Sequence, residues 1–431
     1  MPLTEERPTL LFYCQHSLGM GHLVRSLALV AGLSEHFRVV LLNGGRLPKR
    51  LAVPAGVEVV NLPPLGLAPD GRLVSRDRRR TVERASALRR RMILETYRVL
   101  RPRVVLVELF PFGRKKFAGE LVPLLEAARA EGEPRPLVCC SLRDILVGRK
   151  NKQEQHDARA AETANRYFGA VLVHSDPAFA RLEESLGSFD ALRTPVHYTG
   201  FVLPEQESGR GESARDGSKQ NEAGRGKSNR RDDAAGRARQ ILVSAGGGLV
   251  GEPLFRAAVE AYRVLRQTED VRMKIVAGPF LPEAAWQSLR GEARALPGLS
   301  VHRFVPDLCA EMRRSAATVS QCGYNTALDI LRAGTPALVV PFAEGGEDEQ
   351  LKRARRLERL GALRVVEQHE LGAERFAAEL KELPKFQPRP LALDLRGVSN
   401  TARIVGRLTR APHTKVSAPR ASRRGTPEVL T

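Results

Sequence analysis

Short runs of Val, Leu, Ile and Phe alternate along this chain with longer stretches in which apolar residues recur every three or four positions. The first half offers TLLFYC, RVVLL, VEVVNL, RVVLVEL, PLVCCSL and AVLVHS, separated by helical spacing at 23–34, 76–100 and 119–131. VHYTG reads as one more strand, after which residues 205–239 lose all periodicity and fill with Gly, Ser and charge. The alternation restarts at QILVSAGGG and continues through VRMKIVAG, LSVHRF, ATVSQ, PALVVPF and ALRVVE, with helices expected at 252–266, 309–315, 326–333 and near 399–408. Strands that are apolar throughout and separated by helices predict parallel sheets covered on both faces. The expected organisation is an α/β chain with doubly wound domains at 1–204 and 240–390. Residues 205–239 are a linker with too little apolar surface to order, 391–410 a closing helix, and 411–431 a basic tail.

The turn chemistry after certain strands locates candidate sites. After strand one comes Cys14-Gln15-His16-Ser17-Leu18-Gly19-Met20-Gly21-His22, where Gly19 and Gly21 permit a tight turn and His22 opens a helix. A dinucleotide fingerprint is excluded, because GMGHLV lacks the third glycine at the required spacing. After QILV, Gly246-Gly247-Gly248 lets backbone N–H groups approach an anion. Further on, Gly323 sits in a strand-to-helix turn, Asn325 and Thr326 are candidate caps, and Gly334-Thr335-Pro336 stops the helix. Unpaired N–H groups at that helix start suit a diphosphate, and the loop 344–350 offers carboxylate and amide groups for sugar hydroxyls. Strand ends supply two acids, Glu108 and Asp144, either of which could orient a histidine base; Asp144 could equally pair with Arg143.

The ordered positions Gln321, Cys322, Gly323, Tyr324, Asn325, Thr326, Asp329, Gly334, Pro336, Pro341, Glu349 and Gln350 resemble the donor-binding motif of GT-B glycosyltransferases. Both the plant-type UDP-glycosyltransferases and the bacterial peptidoglycan N-acetylglucosaminyltransferases carry it, the latter with a family 28 type C-terminal domain. Three positions depart from the plant-type pattern: Gln321 stands for a phosphate-contacting His, Asp329 for the Glu that holds ribose, and Glu349 for Asp. The resemblance implies two Rossmann-like domains facing a central cleft, with the C-terminal helix returning to the first domain. It implies that Gly246, Gly247, Gly248, Val305, Gln321, Gly323, Tyr324, Asn325, Thr326, Asp329, Glu349 and Gln350 bind the donor. His22 would be the general base with Glu108 as its partner, His16 its local competitor, and Gly19, Gly21 and Asp144 would belong to the acceptor or diphosphate loop. The implied reaction moves a sugar from a nucleoside diphosphate donor, UDP-linked, to an unidentified acceptor with inversion. No cofactor is expected and no metal, because helix dipole and backbone amides can carry the diphosphate charge. A nucleotide-sugar 2-epimerase or hydrolase of the same fold is the alternative, and a non-catalytic sugar-nucleotide or polyanion-binding protein the third.

Composition narrows the partners. At 431 residues and 42% hydrophobic, the chain can fill two cores. No run approaches a membrane span, and MPLTEERP leads into the first strand without a signal-peptide pattern, so a cytoplasmic location is expected. Five cysteines offer neither a disulfide framework nor paired zinc spacing, and His174, His197, His302 and His369 are not spaced as a metal site. Of the net +20, residues 205–239 supply only +2 and 411–431 only +3. The segment Arg72–Arg103 holds twelve Arg against Asp77, Glu83 and Glu95, on a helix whose apolar stripe reads Val82, Ala85, Leu88, Met92 and Leu100. A solvated face is one reading of it, and peripheral contact with an anionic membrane surface at the inner face is the other. Nucleic acid is not expected: only 5% of residues are aromatic and Tyr97 alone falls within the basic run.

Overall fold

The computed structural model describes residues 7–16, 21–48, 51–68, 71–148, 152–203, 239–343 and 348–410. The expected linker, the basic tail and Gly19 lie outside these residues, apart from Arg239 at the linker's end.

The first domain is built on β1 (Thr9–Cys14), β2 (Arg38–Asn43), β3 (Glu58–Asn61), β6 (Val104–Glu108), β7 (Leu137–Arg143), β8 (Ala170–His174) and β9 (Val196–Tyr198). They form one sheet in the order β3-β2-β1-β6-β7-β8-β9, every pairing parallel. A small antiparallel ribbon, β4 (Leu65–Leu67) with β5 (Leu73–Ser75), lies outside it. The helices are α1 (Gly21–Leu33), α2 (Val82–Leu100), α3 (Ala118–Ala130) and α4 (Gln153–Tyr167). Alternate residues of β1 feed opposite faces: Leu11 and Tyr13 join one core with Ile93 and Leu121, while Leu10 and Phe12 join another with Leu27 and Val30.

The second domain repeats the plan with β10 (Gln240–Ser244), α5 (Glu252–Leu265), β11 (Arg272–Val276), α6 (Glu283–Ala295), β12 (Leu299–His302), α7 (Leu308–Arg313), β13 (Ala317–Ser320), α8 (Tyr324–Ala333), β14 (Ala337–Val339), α9 (Glu349–Arg359), β15 (Arg364–Val365) and α10 (Ala373–Glu382). Its six strands are parallel in the order β12-β11-β10-β13-β14-β15. In each sheet the chain order reverses once, between β1 and β6 and between β10 and β13. Open parallel sheets place their ligands at the carboxyl ends of such strands. The Gly246–Gly248 turn and Gly323 follow β10 and β13 directly, and α1 opens at Gly21 on the carboxyl side of β1.

The closing helix α11 (Gly397–Arg410) crosses back to the first domain. Its Val398, Ala402 and Val405 are buried in the core that α1 also lines, and a Cβ at Gly32 of α1 would come within 2.3 Å of Val398 Cγ1.

Helix α2 departs from the expected stripe. Thr81 caps it by accepting from Arg84 N–H, so it starts at Val82, and the chain before it is partly the β5 ribbon. Its buried positions are Ala85, Arg89, Ile93 and Tyr97, spaced by four, while Leu88 and Met92 are only partly covered. Arg89 therefore leaves the charged face altogether. It is fully buried, bonded to Glu120 at 2.6 and 2.8 Å, to Gln15 at 2.7 Å and to the carbonyls of Gly44 and Pro63. A buried guanidinium is tolerated only with this degree of pairing.

Candidate active site

The first-domain side grows from the β1/β6 reversal. Gly21 opens α1 and is exposed, and His22 beside it keeps 21% of its side-chain surface. His22 Nδ1 lies 2.5 Å from Glu108 Oε1, and Glu108, the last residue of β6, is fully buried. Arg25, one turn along α1, donates from Nη2 to the same carboxylate oxygen at 2.7 Å, and Arg114 Nε stands 3.6 Å from Oε2. Burial works against the Glu108 carboxylate, but His22, Arg114 and Arg25 outweigh it and hold the group well below the usual carboxylate range. Burial pushes His22 down to about 4, with Arg114 and Arg25 adding to it against the pull of Glu108. The ring is thus neutral near pH 7. With an ionised, acceptor-only carboxylate at Nδ1, that nitrogen carries the hydrogen and Nε2 keeps its lone pair.

His16, the local competitor, is placed elsewhere. Its Nε2 lies 3.2 Å from Asn43 Oδ1, the side chain is buried, and a Cβ at Gly45 would come within 2.4 Å of the ring. It packs the turn after β2 against the turn after β1.

On the second-domain side, Gly246 (φ +54°) and Gly248 (φ +86°) use the left-handed region, and a Cβ at Gly248 would meet the Ala277 carbonyl at 2.1 Å. Gly278 closes the contact from the opposite strand, within 2.6 Å of the Gly247 backbone if it carried a Cβ. Gln321 donates to the Val250 carbonyl at 3.0 Å, tying this loop to the end of β13, and Thr326 Oγ1 would stand 3.6 Å from a Cβ at Gly246. The cap of α8 is Gly323, in extended conformation with no side-chain capping bond; Asn325 and Thr326 already lie inside the helix. A Cβ at Gly323 would meet nothing within 4 Å, so the turn that leads into α8 is open on that side. Asp329, half-buried one turn further on, has its pKa raised by burial to about 6, with Asp307 adding to the effect and Arg332 opposing it. Val305 is buried just beyond β12, beside the exposed Phe304.

The two sides meet. Asn325 Nδ2 donates to the Gly21 carbonyl at 3.4 Å, which sets the start of α8 beside His22. Glu349, at the first turn of α9, is shared by Arg143 of β7 at 3.0 Å and Arg353 at 2.6 Å; against the effect of burial, these two hold its pKa down to about 2.

Two expected site residues do other work, and a third does so with half of its amide. Tyr324 is buried and its hydroxyl is fully used, donating to the His174 carbonyl and accepting from Val202 N–H, both at 3.0 Å, so it locks the domains rather than facing a ligand. Asp144 is buried with both oxygens on Arg353, at 2.7 and 2.8 Å, and is not open to a loop ligand. It does not pair with Arg143, which reaches Glu349 instead. The Gln350 amide oxygen accepts from Cys322 N–H and Phe342 N–H at 3.1 and 3.3 Å, which leaves its NH2 group for other partners. The arginines gathered here, 25, 114, 143 and 353, had one sequence signal among them: Arg25 falls three residues after His22, on the same helical face.

Residues 241–401 match the family described as glycosyltransferase family 28 C-terminal domain. The structure known as the glycotransferase of kitacinnamycin superposes with a TM-score of 0.56 at 18% identity, covering 94% of this chain and 95% of that one. The fold is GT-B. Among curated relatives, the Solibacter usitatus UDP-N-acetylglucosamine–N-acetylmuramyl-(pentapeptide) pyrophosphoryl-undecaprenol N-acetylglucosamine transferase is 32% identical over 29% of this chain and 31% of its own length. The Alkalilimnicola ehrlichii protein of the same name is 26% identical over 55% of this chain and 63% of its own length. The alignments to these GT-B relatives thus span less than two thirds of their lengths.

Proposed function

We propose that this protein is a glycosyltransferase in which His22, oriented by Glu108, removes the proton of an acceptor hydroxyl as that oxygen attacks the anomeric carbon of a UDP-linked sugar. The observation that carries the reading is the contact between Gly21 and Asn325: it sets a neutral histidine beside the uncapped start of α8. The diphosphate would lie on that helix start and on the Gly246–Gly248 turn, whose N–H groups and dipole stabilise the departing charge without requiring a divalent ion. Glu349 and the free NH2 of Gln350 would hold sugar hydroxyls, and Asp329 the ribose. One direct displacement with a base and no covalent nucleophile inverts the anomeric centre.

The acceptor is proposed to be lipid-linked, as the names of the curated relatives state for those proteins. In support, the outer face of α2, with Arg84, Arg90, Arg91 and Arg98, and the turn before it, with Arg79 and Arg80, surround an open cavity of about 810 Å³, a surface suited to anionic headgroups. The test is a product-release screen over UDP-, GDP- and dTDP-sugars with and without polyprenyl-diphosphate acceptors. A preference for UDP with release only when acceptor is present is expected. Equal release without acceptor would replace the transferase by the hydrolase or epimerase reading.

A further inference from the structure

Arg25 occupies a position between the two halves of the site that the reaction just proposed does not use. Its side chain is 2% exposed. The guanidinium touches Glu108 Oε1 at 2.7 Å and stands 3.3 Å from His22 Nδ1, while its other side lies over the Tyr324 ring, 5.3 Å from the centroid. Tyr324 belongs to the second domain and is itself pinned to the first through His174 and Val202. Arg25 is therefore held between the carboxylate that orients the histidine and the first residue of the helix on which the donor would rest.

We infer that Arg25 is a positioning residue: it fixes the Glu108 carboxylate so that His22 is held as the Nδ1–H tautomer with Nε2 directed to substrate, and it does so only when Tyr324 is docked. This inference rests on the reading of His22 as the base. The chemistry is that of an acceptor shared by two donors. An arginine cannot give up its proton, so a hydrogen bond from it to Oε1 keeps Glu108 an acceptor, and an acceptor at 2.5 Å draws the imidazole hydrogen to Nδ1. A flexible carboxylate would let the ring rotate, and misplacement by about 1 Å can cost on the order of 10²-fold in rate. The packing against Tyr324 ties this orientation to domain docking: if α8 moves away, the guanidinium loses the ring that covers it.

The groups facing His22 are Arg25 from its own helix, Glu108 from β6, Arg114 from the turn after β6, and Glu349 from α9 of the second domain. Arg25 and Arg114 lower the affinity of the ring for a proton and Glu108 raises it.

The experiment uses the full chain labelled with 15N-histidine, with the His22 signals assigned by their loss in His22→Ala. In the unaltered protein the Nδ1–H form is expected throughout the neutral range. In Arg25→Gln the His22 titration should move upward, by on the order of one pH unit, since a nearby like charge is gone, and the tautomers should mix. Arg25→Lys should keep the titration near its original position. Tyr324→Leu, with Arg25 intact, should also mix the tautomers. An unchanged tautomer and titration in Arg25→Gln would overturn the inference, whatever the activity, and so would loss of the fold in both Arg25 variants, which would make Arg25 a purely structural partner. Full activity of His22→Ala would instead remove the base assignment while leaving the tautomer measurement standing.

Discussion

Arg353 and Asp144 lie 209 residues apart in the chain and form a bidentate, fully buried ion pair at 2.7 and 2.8 Å that joins α9 of the second domain to the turn after β7 of the first. The same guanidinium donates to the Cys322 carbonyl at 2.8 Å and to Glu349 at 2.6 Å. Each of the three nitrogens of Arg353 thus helps to hold the motif turn, the α9 carboxylate and the first domain in one arrangement. Around it, Gly148 N–H donates to Asp348 at 2.9 Å, and Arg356 bonds Glu184 and the Phe179 carbonyl.

Removing one member of this pair should be costly, because the other is left charged and dry. Arg353→Met is expected to lower stability by about 3–5 kcal/mol, whereas Arg353→Met with Asp144→Asn should recover part of that loss. Urea unfolding of the unaltered protein, Arg353→Met, Asp144→Asn and the double variant checks it; additive losses would mean the two side chains do not interact.

Replacing His22 by Ala should lower turnover by ~10²–10⁴ while leaving donor affinity nearly unchanged, since the proton moves only in the reaction step. Glu108→Gln should move in the same direction. Steady-state kinetics with the acceptor found in the screen would decide, and a variant that keeps normal turnover returns the role to another group.

Two glycines should respond oppositely. Gly248→Ala forces a Cβ onto the Ala277 carbonyl at a φ of +86°, so it should destabilise the fold by at least about 1 kcal/mol. Gly323→Ala meets open space with an ordinary φ of −64°, so the melting temperature should stay put while affinity for UDP falls. Calorimetric unfolding and UDP titration of both proteins separate the two effects.

Acid should weaken the protein through the site itself. His22 has a folded value near 4, below its ordinary 6.5, and so contributes stability that is present above 6.5 and lost as pH falls toward 4. Glu349, held down to about 2, contributes stability present above 4.5 and lost between there and about 2. Asp329, raised to about 6, acts in the opposite sense between 3.8 and 6. Stability should therefore begin to decline just below pH 6.5, change little between about 6 and 4.5 where Asp329 offsets His22, and fall below 4.5, whereas His22→Ala should instead gain stability between about 6 and 4.5 in a pH series of melting curves. Activity, needing the neutral ring, should hold through the neutral range.

The arginine face of α2 should bind anionic bilayers. Vesicles of phosphatidylglycerol are expected to retain the protein and phosphatidylcholine vesicles not to, with Arg84→Glu and Arg91→Glu together abolishing retention while the fold is unchanged. Equal sedimentation with both lipids would leave the face merely solvated.

The sequence by itself determined the elements and the places where ligands are met. All-apolar strands spaced by helical stretches admit little but parallel sheets, and glycine turns after β1, β10 and β13 are local features that local chemistry reveals. The same holds for His22, whose place at the head of α1 follows from the turn before it, and for Gly323. What only the tertiary structure decided was which polar side chains are spent on the protein itself. Arg89 reads as one more charge on a basic helix until Glu120 and the carbonyls of Gly44 and Pro63 gather around it. Tyr324, Asp144 and Gln350 sit in or beside the recognisable motifs, yet their hydrogen bonds go to His174, Arg353 and Cys322. The reason is physical: periodicity reports which face of an element is buried, whereas the partner of a buried charge can come from a segment 209 residues away and is set only when the two sheets are brought together.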